Sequence, residues 1–123
     1  MAKLTLNEIM KRKEALLERD KAPKTANLYI KSLDAEIHVE APSKKLVNDA
    51  NDHPNGDDYL VYECVKEPNL KDKELQKEFG CVQPLDIVSK IFLPGEIPQI
   101  AVALMTLSGY AANGQNTVKE IKN

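Results

Sequence analysis

Residues 72–97 read DKELQKEFGCVQPLDIVSKIFLPGEI, from Asp72 to Ile97. Leu75 and Phe79 stand four apart, the spacing of one helical face, so a helix is predicted over 70–79. Gly80 follows at the position where a helix end favours a left-handed residue. Pro84 then suits the first position of a second helix, 84–92, because its missing N–H would have no partner there anyway. Leu85, Val88 and Phe92 point inward from it. Pro94-Gly95 breaks the chain again, and Pro98 opens a third helix through about Tyr110. Short helices separated by such tight breaks indicate a small, mainly α domain.

Outward from this stretch, the N-terminal side opens with a capping box, Thr5 to Glu8, flanked by Leu4 and Ile9 at the spacing of a hydrophobic staple. A helix is predicted from Leu6 through Asp20, with Leu6, Ile9, Met10, Leu16 and Leu17 as its apolar stripe. The period then changes to two. Leu28 and Ile30 face one way and Tyr29 and Lys31 the other, while Ile37 and Val39 oppose Glu36, His38 and Glu40. Ser32-Leu33-Asp34-Ala35 makes the turn of an antiparallel hairpin, whose apolar face needs helices to cover it. Ser43 caps a short helix carrying Leu46, Val47 and Ala50. Residues 48–58 are expected to form an exposed, mobile loop around His53-Pro54-Asn55-Gly56. Asp57 is expected to cap a helix reaching about Lys66, with Leu60, Val61, Cys64 and Val65 inside and Pro68 closing it. The expected fold is α+β, mainly α, with five or six short helices and one antiparallel β-hairpin after the first helix. Residues 1–112 are expected to make one domain and 113–123 a flexible tail.

The chain has 123 residues, 42% hydrophobic and 29% charged, which is ordinary globular composition. Aromatic residues are only 5% and tryptophan is absent, so no stacking platform for bases is expected, and a net charge of −2 gives no field that attracts a polyanion. Nucleic acid is therefore not an expected partner. The start MAKLTLNE lacks an apolar signal core, and the run Ile100–Leu107 is too short to span a bilayer. Cys64 and Cys81 form no CxxC pattern and read as reduced, buried thiols on helical edges.

Candidate chemistry is sparse. The acidic stretch Asp49, Asn51, Asp52, His53, Asn55, Asp57 and Asp58 invites comparison with a calcium loop. Anchored on Gly56, it puts His53 at the third ligand position and Tyr62 where the bidentate Glu belongs, so both fail. His38 and His53 have no second ligand at helical spacing, and no metal or cofactor is expected. Neither cysteine has a base and orienting group in a recognisable pattern. GxSxG, HExxH, Walker and GxGxxG motifs are absent. The strongest functional signal is the helix from Ile97 to Leu107, apolar on nearly every side. It reads either as the central buried helix or as one that shares a side, Ile100, Leu104 and Leu107, with a second chain. The opening helix is similarly double-valued: Leu6, Met10 and Leu17 could form an adaptable groove for a partner helix.

The order Asp72, Lys73, Leu75, Gln76, Phe79, Gly80, Cys81, then Pro84, Asp86, Ile87, Val88, Phe92, Gly95, Glu96, Ile97, resembles the XkdN-like tail assembly chaperones of long-tailed phages and phage-like elements. The resemblance covers residues 58–110, with a weaker echo in the opening helix and hairpin. It implies a small α-rich protein with a modest sheet that acts on the tape-measure protein, the long helical chain that sets tail length. Such chaperones keep that chain soluble while tail-tube subunits polymerise around it. They often self-associate, occur in many cases as a longer frameshifted product, and are absent from the finished particle. The resemblance thus implies a non-enzymatic chaperone in the host cytoplasm. Its expected partners are the tape-measure protein, possibly the tail-tube protein, and further copies of itself. The expected contact residues are Leu6, Met10, Leu17, Ile97, Ile100, Leu104 and Leu107. The competing reading is a structural tail or connector protein retained in the virion. Leu75, Phe79, Ile87, Val88 and Phe92 read most simply as core.

Overall fold

The computed structural model describes residues 3–19 and 21–110. The expected tail, 113–123, lies outside them. Thr5 caps the first helix as the sequence requires, its Oγ1 accepting the Glu8 N–H at 3.2 Å. The single expected helix is divided into α1 (Leu6–Lys11) and α2 (Lys13–Arg19). Arg12, between them, has φ −92° and ψ 5°. The break is slight, because the Arg12 N–H still reaches Glu8 O and its carbonyl accepts from the Leu16 N–H at 2.9 Å.

The hairpin follows as β1 (Thr25–Ile30) and β2 (Ala35–Glu40), antiparallel from Thr25 opposite Glu40 to Ile30 opposite Ala35. A 3-10 turn over Lys31–Leu33 joins them, closed by Asp34 in the left-handed region at φ 48°. Helix α3 (Lys44–Asn51) is capped by Ser43 Oγ, which accepts the Leu46 N–H at 3.1 Å. Helix α4 (Gly56–Cys64) starts only a few residues later, with Asn55 and not Asp57 at its N-cap. The expected mobile loop is therefore largely helical. At its centre Pro54 and Asn55 are exposed, while His53 is half-buried and stacks on Tyr59 at 5.2 Å between ring centroids.

The helix expected to reach Lys66 instead ends at Cys64. The chain continues as a third strand, β3 (Val65–Glu67), giving the sheet order β1-β2-β3. Pro68 biases the residue before it towards extended backbone, and β-branched Val65 suits a strand. The second edge of β2 accepts the strand, with a register irregularity at His38/Val39.

Three further helices complete the described residues: α5 (Lys73–Glu78), α6 (Asp86–Ile91) and α7 (Glu96–Leu107). The described residues form seven α-helices in the expected mainly α, α+β fold, one more than six because the first is split. Each of the last three starts at a carboxylate. Asp72 Oδ1 caps α5 by accepting the Leu75 N–H at 2.9 Å. Asp86 Oδ2 accepts the Val82 and Gln83 N–H groups at 3.1 and 3.0 Å. Glu96 Oε1 accepts the Leu93 N–H at 2.9 Å. Helix α5 ends on Gly80 at φ 67°, with Gly80 N–H bonded to Lys77 O and Cys81 N–H to Gln76 O. That paired closure needs the left-handed residue that glycine supplies. The same closure at Gly109 ends α7.

The core joins Ile30, Ile37 and Val39 of the sheet to Leu60, Val61 and Cys64 of α4. Ile87, Val88 and Phe92 flank them, and Ile97, Ile100, Ala101 and Leu104 of α7 complete the cluster. Phe79 departs from expectation, since it is 45% exposed. The turn of α5 carries it past the core, and Leu75 alone of that pair packs inward, half-buried.

A Cβ at Gly56 would collide with the carbonyl of Ala50, where α3 and α4 meet. Gly56→Ala is expected to lower stability by about 1–3 kcal/mol, the usual cost of overpacking against backbone that cannot move aside. Urea unfolding of the two proteins measures it.

Candidate interaction surface

The seven residues expected to touch a partner separate into three environments. Ile97, Ile100 and Leu104 are buried. In this chain they belong to the core cluster that α7 shares with α4 and the sheet. Leu107 is half-buried and packs against the edge of the core. Leu6, Met10 and Leu17 are 77%, 64% and 56% exposed.

The exposure of the last three follows from the placement of α1 and α2. Neither helix buries a single residue, and none of their side chains belongs to the core or packs against it. Leu4 and Ile9 are exposed with them. The spacing Leu6, Ile9, Met10 is i, i+3, i+4, so an apolar stripe runs along an arm whose other sides carry Lys11, Arg12, Glu14 and Glu18. A helix of this length is marginal on its own in water.

At the arm's C-terminal end lies an open trough of about 550 Å³, lined by Arg19, Ala22, Pro23, Ala41, Pro42 and Leu107 among others. It brings Leu107 together with the end of α2. Ser108 Oγ donates to the Pro42 carbonyl at 2.6 Å, which ties the end of α7 to the segment after β2. Sequence reasoning missed this trough, whose only local signal is the pair Pro23 and Pro42 flanking the hairpin. Val102 is the large apolar residue of α7 that does face solvent, at 49% exposure.

The polar chemistry is structural. Glu96 also accepts from Ser32 Oγ at 2.9 Å, joining the hairpin turn to α7. Its carboxyl is held below the ordinary range, chiefly by the Leu93 N–H and further by Ser32. Lys71 donates to Glu63 Oε1 at 2.6 Å, a bond that raises the lysine pKa. Among the described residues no group of three or more His, Cys, Asp and Glu could hold a metal ion. No described helix is long and apolar enough to cross a membrane.

Residues 30–122 match the family of phage XkdN-like tail assembly chaperone proteins. The chain belongs to this family. The match includes the whole of residues 58–110 and reaches back to the last residue of β1. In this chaperone the arm and nearly all of β1 precede the matched region. No curated protein matches the chain, and no solved structure does. Membership assigns it to phage tail assembly. Of the residues that carried the resemblance, Asp72, Asp86 and Glu96 start helices, Gly80 ends one, and Ile87, Val88, Phe92 and Ile97 are core. These eight start a helix, end one or fill the core of this chaperone.

One of the two thiols also differs from expectation. Cys64 is buried, while Cys81 is half-buried in the turn after Gly80 and not on a helix. Burial raises the Cys64 pKa from 9.0 to about 11, with Lys66 opposing and Glu63 adding to the shift. A native-state thiol reagent is expected to modify Cys81 well before Cys64. Because the folded Cys64 keeps its proton where an unfolded cysteine releases it, its contribution to stability is full below pH 9 and is lost as pH rises towards 11. Melting temperatures of the wild type and Cys64→Ala should therefore converge across that window.

Proposed function

We propose that this family member is a non-enzymatic chaperone for the tape-measure protein, keeping that long helical chain soluble while the tail tube polymerises around it. In this reading it acts in the host cytoplasm, self-associates, contacts the tail-tube protein during hand-over, and is absent from the finished virion. The observation that carries the proposal is the arm of α1 and α2, with Leu6, Met10 and Leu17 exposed on one stripe and no part of the core beneath them.

The physical logic is that of a helix-in-groove contact. An amphipathic partner helix needs its apolar side covered, and an exposed helical stripe offers leucine and methionine at the matching spacing. Methionine adapts to varied partners, which suits repeated contacts along a long chain. A small apolar surface also keeps each contact weak, so that growing tail tube can displace it.

Co-expression with the tape-measure protein encoded in the same genome tests this. The wild type is expected to keep the long partner soluble and to co-purify with it in many copies. The pair Met10→Asp and Leu17→Asp should leave the fold intact, because neither side chain is buried. Losing about 1.5 kcal/mol or more per apolar contact should weaken binding at least about 100-fold. Equal capture by the double variant would remove the arm from the mechanism. Recovery of the chain in purified particles would mark it as a retained tail or connector component.

A further inference from the structure

Strand β1 ends the sheet on one side. Its register with β2 is unbroken from Thr25 to Ile30. In an antiparallel pair, alternate residues turn both backbone groups towards the neighbour and the intervening ones turn both away. The Ala41 N–H donates to the Lys24 carbonyl at 2.7 Å, and position 24 lies opposite 41 in this register. Counting by two, Ala26, Leu28 and Ile30 face β2, whereas Thr25, Asn27 and Tyr29 direct their N–H and C=O groups to the side without a strand.

Edge strands are ordinarily guarded by a charge, a proline or a bulge. The sequence of β1, TANLYI, has neither charge nor proline, and the sheet's irregularity lies between β2 and β3. Beside β1 is a cavity of about 250 Å³, lined by Leu28, Ile30, Glu96, Gln99, Ile100 and Ala103 among others, and by no residue of β2. It therefore opens on the unpaired side of β1, between the strand and α7.

We propose that β1 pairs antiparallel with β1 of a second copy about a two-fold axis through Asn27, joining the two three-stranded sheets into one. This gives the self-association proposed above a specific interface, and rests on that reading. Residues opposite one another in an antiparallel pair share a face, so the apolar faces of the two copies continue in registers centred on a residue, and of these the ones centred on Asn27 or on Leu28 pair the most of β1. Centring on Asn27 sets Asn27 against itself and Thr25 against Tyr29 twice, so every outward-facing residue of both strands is hydrogen-bonded. Centring on Leu28 leaves Thr25 without a partner within the strand. On the core face, Leu28 meets Ala26 of the second copy. Lys24 of the second copy then falls opposite Ile30, on the face where Glu96 lines the cavity. A second copy fits this edge better than an unrelated strand: no like charges meet within β1, and the flanking lysine is set towards a carboxylate.

The masses of the wild type, Asn27→Lys, Asn27→Glu and an equimolar mixture of the two variants, measured by sedimentation equilibrium, test the proposal. The wild type is expected at twice 13.7 kDa. Each variant alone should run as a monomer, because a charge on the axis meets its like, and the mixture should restore the pair. Asn27→Pro should also be monomeric with unchanged circular dichroism, since the N–H it removes points away from β2. A monomeric wild type overturns both this interface and self-association. Charged variants that remain paired overturn the interface alone, leaving self-association through another surface. Failure of the mixture to pair overturns the two-fold register. Loss of tape-measure capture by Asn27→Pro from a monomeric wild type would assign the edge to the partner's chain instead.

Discussion

Helix α7 is the element on which the other packing depends. Ile97, Ile100, Ala101 and Leu104 repeat at i, i+3, i+4 and i+7, and all four are buried. On one side they meet Leu60, Val61 and Cys64 of α4, and on another the inward residues of the sheet. A three-stranded sheet with one apolar face cannot stand alone in water, and α4 has no second layer without α7. The Glu96 carboxylate fixes the start of this helix, holding Leu93 and Ser32 together. The hairpin turn and the helix beneath the sheet are thereby locked in one arrangement.

The same device recurs along the C-terminal half. Asp72 accepts an N–H of the first turn of α5, whereas Asp86 and Glu96, each the first residue of its helix, reach back to N–H groups of the segment before it. Chain breaks that look like punctuation in the sequence are hydrogen-bonded turns in the structure. Residues of this kind can carry a family's resemblance by setting the angles at which short helices meet.

Much of the fold was legible because its signals are local. Thr5 and Ser43 declare their helices through side-chain caps, and the alternation Leu28, Ile30 and Ile37, Val39 declares the hairpin. What failed depends on distant partners. Three residues become β3 only because β2 has a free edge, which residues 65–67 do not encode by themselves. Phe79 sits at helical spacing from Leu75, yet the end of α5 leaves it in solvent. The exposed apolar surface was half legible. The stripe on the opening helix is visible in the sequence, whereas a helix apolar on all sides gives no sign of which side its neighbours cover. Packing of α4 and the sheet decided that, removing Ile97, Ile100 and Leu104 from the surface. The openness of β1 is a property of sheet order, which a hairpin pattern cannot reveal.

Between the arm and β1 the segment Lys21–Lys24 spans no more than about 14 Å even when fully extended. In the proposed role, a long partner engaged by any other part of the chain would lie within the short reach of this connection. The effective concentration of the arm for a neighbouring apolar stretch would then be on the order of millimolar, so that a stripe too weak to hold a partner from dilute solution would suffice to hold one already captured. Grip by such an arm is a matter of geometry and local concentration, and lengthening or shortening the tether would tune retention without altering a single contact residue.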